Sequence, residues 1–94
     1  MIQTRNPEVK AQIKHRLARI EGQLRGVQKM IDDELDCRDI LQQLIAIRSG
    51  IQSASLNFLQ EVANECLVET DAQDDQADRK DTMAELIRML GKVT

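Results

Sequence analysis

Apolar residues at Ile13, Leu17, Ile20, Leu24, Val27 and Ile31 recur at alternating spacings of four and three. That period belongs to a helix with a narrow apolar stripe, close to the heptad repeat of a coiled coil. Asn6-Pro7-Glu8 supplies the start: a side-chain oxygen for the N-cap, a proline where no N–H is needed, and an acid in the first turn. The first helix is expected over about 7–32. Gly22 and Gly26 lie four apart inside it. Each costs up to about 1 kcal/mol against alanine, which a close helix approach is expected to offset. The run Asp32-Asp33-Glu34-Leu35-Asp36 breaks the stripe.

A second stripe follows through Ile40, Leu44, Ile47, Ile51, Ala54, Phe58, Val62 and Cys66. Asp36 can cap it and no proline interrupts it, so a long helix is expected over about 37–69. "TDAQDDQAD" (70–78) is expected as an acidic linker. A short third helix, about 79–91, carries Met83, Leu86, Ile87 and Leu90 on one face, with Gly91 as its stop. The pattern predicts one all-α domain, 1–94, with two long antiparallel helices and a short one. Stripes this narrow cannot enclose a core alone, so the helices are expected to pack side by side in an oligomer.

Composition narrows the class. Phe58 is the single aromatic residue, which disfavours strands. No apolar run exceeds residues 44–47, which excludes a membrane span and a signal peptide. A reducing, cytoplasmic setting is therefore expected, where two cysteines serve as free thiols, ligands or redox sensors. The formal charge of −3 hides an asymmetry. Residues 1–30 carry seven Lys/Arg against two acids, and residues 31–94 carry six against fourteen. A basic end on an acidic body points to a polyanion, and Arg5, Lys10, Lys14, Arg16 and Arg19 are the candidate phosphate contacts. The alternative for each is a merely solvated cation. His15, between basic neighbours, is read as surface or DNA-facing. No Ser/His/Asp set or buried carboxylate pair is visible in the sequence, so an enzyme is not expected.

The chain has two cysteines, Cys37 and Cys66. On one continuous helix, 29 steps of about 1.5 Å separate them by roughly 43 Å. They cannot meet within a chain. If two copies of the second helix pair antiparallel about a two-fold axis, Cys37 faces Cys66 of the partner subunit, and two equivalent dithiol sites arise. Ordinary buried cysteines remain the other reading. Cys37 stands at a helix N-terminus beside Arg38, which favours a thiolate, although Asp36 and Asp39 oppose it. Cys66 lies among Glu61, Glu65 and Glu69. Cys37 is thus expected as the attacking thiol and Cys66 as the resolving one.

The stretch "HRLARIEGQLRGVQKMIDDELDCRDILQQLIAIRSGIQSASLNFLQEVANEC" (15–66) resembles the CsoR/RcnR family of bacterial repressors. "RIEGQLRGV", the following cysteine and "DILQQLIAIRS" carry the likeness. The resemblance implies an all-helical antiparallel dimer and a dimer of dimers, operator binding without a helix-turn-helix, and release by an inducer at the intersubunit cysteine site. It adds Arg48 to the DNA-contact candidates, while Ser53 stands where some relatives have a further basic residue. Copper sensors of the family place a histidine four residues before the second cysteine, where this chain has Val62. Nickel and cobalt relatives need several histidines, and formaldehyde-responsive ones an amino-terminal proline; neither pattern is present. What remains is similar to the persulfide-sensing, CstR-like branch: no metal or cofactor, reactive sulfur as inducer, and a disulfide or polysulfide bridge. A Cu(I) site of two thiolates, Cys37 and Cys66, is the alternative inducer site. A helical oligomerisation module with inert cysteines is the alternative of another class.

Overall fold

The structure, a computed structural model, describes the backbone of residues 4–73 and 76–94 and the side chains of residues 4–65 and 80–94. Three helices account for nearly all of it: α1 (Pro7–Asp32), α2 (Cys37–Gln73) and α3 (Gln76–Val93). α1 starts as its sequence dictates. Asn6 is extended (φ −68°, ψ 118°) and its Oδ1 accepts the Glu8 N–H at 2.9 Å, satisfying an amide that has no partner inside the helix.

The end of α1 is built from two backbone bonds. The Leu35 N–H reaches Met30 O and the Glu34 N–H reaches Ile31 O, both at 3.1 Å. This is the Schellman arrangement, and it places Glu34 at φ 55°. Glycine is the usual occupant because a side chain there costs roughly 1–2 kcal/mol. Asp36 then opens α2: its carbonyl accepts from Asp39 and Ile40 and its Oδ1 from the Arg38 N–H at 2.9 Å. The Arg38 Nε stands 3.6 Å from the same oxygen, but the two side chains are 89% and 52% exposed. In that much solvent the ion pair contributes little.

α1 lies antiparallel on α2 and the heptad stripes meet only in alternate members. Ile20, Val27, Ile47 and Ala54 form the buried cluster, with Ile13 and Ile40 against it. Leu17, Leu24 and Ile31 of the same stripe stay 47%, 41% and 56% exposed. α3 turns back along α2, where it buries Leu86 and accepts a bond from Gln52 Nε2 to Val93 O at 3.3 Å. The result is a thin layer, 58 × 26 × 15 Å.

Three sequence expectations need correcting, and a fourth, the close approach at Gly22 and Gly26, is not met within one protomer. The linker over 70–78 is helix up to Gln73 and again from Gln76. No proline or glycine lies between Gly50 and Gly91, so neither residue type ends α2 before Gln73 or delays α3 past Gln76. α3 accordingly starts earlier than 79 and runs through Gly91 to Val93. Ile87 is not on the packed face but 64% exposed. Gly22 and Gly26 have nothing within 4 Å of where a Cβ would stand, because their side of α1 is turned away from α2. No close approach within the protomer compensates for them.

Candidate functional site

α2 is unbroken from Cys37 to Gln73, so both cysteines belong to one rod, at opposite ends. The 29-residue separation amounts to roughly 43 Å and about eight turns plus 20°. A disulfide needs Cα atoms within about 7 Å. The two positions therefore share a face of α2 and are beyond each other's reach. Cys37 is exposed as the first residue of the helix; the side chain of Cys66 lies outside the described residues.

The face around Cys37 is apolar. Ile31, Leu35, Ile40, Leu41 and Leu44 line an open hollow with the thiol, and Glu34 is its one charged member. Farther along, Ile45 and Ile51 are also more than 40% exposed. Together with Leu17 and Leu24 they leave one broad side of the layer greasy and uncovered. Patches of this extent on a small protein mark a contact surface.

The basic candidates do not gather at one place. Arg5, Lys10, Lys14, Arg16, Arg19 and Arg48 are all exposed. Arg16 and Arg19 line a polar recess with Gln23 of α1 and Ala46, Gly50 and Ser53 of α2. Ser53 and Leu44 are nine residues apart, about 180° round the helix. The recess is therefore on the side of the layer opposite the apolar one. Lys10, nine residues before Arg19, likewise lies about 180° away from it round α1; Lys14 shares the side of Lys10. Arg48 is four residues after Leu44 and three before Ile51, which sets it among the exposed apolar residues. His15 is exposed on α1.

One residue that sequence reasoning treated only as a nearby charge has a defined place. Glu65 Oε1 accepts from Thr4 Oγ1 at 3.1 Å and from the Asn6 N–H at 3.0 Å, while Oε2 is buried with no partner among the described residues. Such a group costs about 1–3 kcal/mol. A bond between residues some sixty apart in sequence leaves no local pattern that could have found it.

The donor set available to a metal is thin. Among the described residues no group of three or more His, Cys, Asp or Glu is placed to hold an ion. Val62, one turn before Cys66, is buried at 7% exposure and lines an apolar hollow with Phe58, Leu59, Leu86, Met89 and Val93. The described residues do not by themselves supply a three-ligand site.

A thin all-helical layer with one apolar side, exposed cations and a thiol at an end of its central rod defines a class: small helical proteins suited to pack against further copies of themselves. The chain belongs to the family of metal-sensitive transcriptional repressors, whose family model matches residues 9–92. It is 34% identical over 85 residues to the copper-sensing transcriptional repressor CsoR of Bacillus subtilis, covering 90% of this chain and 81% of that one. Its fold is similar to the crystal structure of the copper-sensing repressor CsoR with Cu(I) from Geobacillus thermodenitrificans, with TM-score 0.79, 33% identity, and 96% and 91% of the two chains covered. It is also similar to the nickel-responsive transcriptional regulator InrS, with TM-score 0.70, 25% identity and both chains covered in full.

Proposed function

We propose that the protein is a DNA-binding repressor that leaves its operator when reactive sulfur bridges Cys37 to the partner's Cys66. One observation carries the reading: α2 is continuous through both cysteines, which puts them on one face and roughly 43 Å apart. Only a second copy, antiparallel to the first, brings thiol to thiol. The uncovered side with Leu17, Leu24, Leu44 and Ile51 is where that copy packs, and pairing of such dimers gives the tetramer. The buried Val62 supports a thiol chemistry over a three-ligand metal site.

The chemistry balances without a metal. The Cys37 thiolate attacks the outer sulfur of a persulfide RS–SH, keeps that sulfur and releases RS⁻. The partner's Cys66 thiolate then attacks the Cys37 sulfur, forms the S–S bond and expels hydrosulfide. The two thiols lose two electrons, the transferred sulfur gains them, and the thiol protons pass to solvent. The protein works in the cytoplasm, where both thiols stay reduced until sulfur species accumulate. Arg5, Lys10, Lys14, Arg16 and Arg19 neutralise operator phosphates.

Intact mass after polysulfide treatment tests this. A covalent dimer joined Cys37 to Cys66, with loss of DNA binding, is the expected result; unmodified thiols in a protein that still binds DNA would sink the reading. Copper-sensing relatives favour a second reading, in which the two thiolates hold Cu(I) in a line. It predicts release of DNA by Cu(I) and indifference to polysulfide.

A further inference from the structure

The amino-terminal arm is tied to α2 by a single carboxylate. Thr4 and Asn6, the residues flanking Arg5, both donate to Glu65 Oε1. Asn6 is at the same time the N-cap of α1, its own Oδ1 held by the Glu8 N–H. One side chain thereby sets the entry of α1 and the place of an exposed cation. Its second oxygen is buried without a partner among the described residues, a costly way to hold a chain end that had no task. The next residue is Cys66.

We infer that Glu65 is a positioning residue: it holds Arg5 and the start of α1 in the DNA-binding arrangement, and a bridge at Cys66 undoes that hold. The inference rests on Cys37 and the partner's Cys66 being the sensing pair. Positions 65 and 66 are about 100° apart round α2. Position 66 shares the face of Cys37 and Leu44, and Glu65 turns toward the arm. Closing a sulfur bridge pulls on the position-66 face of this turn and rotates or lifts the face turned to the arm. The two bonds to Oε1 are already at 3.0 and 3.1 Å, and hydrogen bonds of this kind weaken steeply beyond roughly 3.2–3.5 Å. A small displacement therefore exchanges both donors to water and frees Arg5. No covalent change occurs at Glu65 itself.

The test is a double-mutant cycle on the reduced protein, with affinity read on a labelled duplex taken from directly upstream of its own gene. Arg5→Ala is expected to weaken binding roughly fivefold in the parent and by less than about twofold once Glu65→Ala is present. Glu65→Gln, which keeps the accepting oxygen, restores the parental response to Arg5→Ala. Hydrogen exchange at the Asn6 amide gives a second readout. It is expected to be about tenfold faster after bridging, and equally fast in reduced Glu65→Ala. Additive effects of Arg5→Ala and Glu65→Ala, or an Asn6 amide unmoved by a bridge verified by mass, overturn the inference. If polysulfide forms no bridge, the sensing reading fails by itself, and the cycle on reduced protein still decides whether Glu65 holds Arg5.

Discussion

Single residues carry costs here that show where the chain is constrained and where it is free. Glu34 occupies a left-handed position that glycine would fill without strain. Glu34→Gly is expected to raise stability by about 1 kcal/mol, read as a shift of the urea midpoint at fixed protein concentration. The position could not be read from the chain, since a glutamate carries no signal for a left-handed cap. Gly22 and Gly26 pose the opposite problem. Their spacing suggests helix packing, yet the space beside them is open. Replacing either by alanine is expected to stabilise the helix by roughly 0.5–1 kcal/mol. A loss of stability instead, in the assembled protein, would reveal a second protomer seated on that side of α1.

At the scale of elements, the period of the apolar residues made α1 and most of α2 legible, because a stripe at spacings of three and four has no other regular home. The same period could not say which members face inward. Ile47 and Ile51 have identical standing in the pattern, yet Ile47 is 4% exposed and Ile51 47%. The difference arises because α1 covers only one flank of the stripe. Substitution separates the two. Ile47→Ala is expected to cost about 2–4 kcal/mol whatever the protein concentration. Ile51→Ala is expected to lower the midpoint mainly at low concentration, where subunit association is what it weakens. Equal, concentration-independent losses would mean that Ile51 meets no partner. After residue 69 polarity alone suggests a linker, but without proline or glycine α2 runs on to Gln73 and α3 starts at Gln76.

The whole molecule is a layer 15 Å thick with unlike sides. The apolar side bears Cys37, Leu44 and Ile51, and the other bears the recess of Arg16 and Arg19. The thiol and the recess of Arg16 and Arg19 are thus separated across the layer, while Lys10 and Lys14 share the thiol's side. The six cations proposed from the sequence split accordingly, since neighbours in sequence diverge round a helix. Arg16 and Arg19 face solvent beside α2, whereas Arg48 stands among Leu44, Ile45 and Ile51, on the side proposed for a second copy. Salt dependence of DNA binding distinguishes these placements, because the slope of log affinity against log salt falls by about one for every phosphate the protein no longer neutralises. The double variant Arg16→Ala/Arg19→Ala is expected to reduce the slope by about two and leave the oligomer intact. Arg48→Ala is expected to leave the slope nearly unchanged and to shift the sedimentation equilibrium between monomer and dimer. If Arg48→Ala instead lowers the slope with the assembly untouched, the side bearing Leu44 and Ile51 faces the duplex, and the antiparallel pairing that joins Cys37 to the partner's Cys66 must be abandoned.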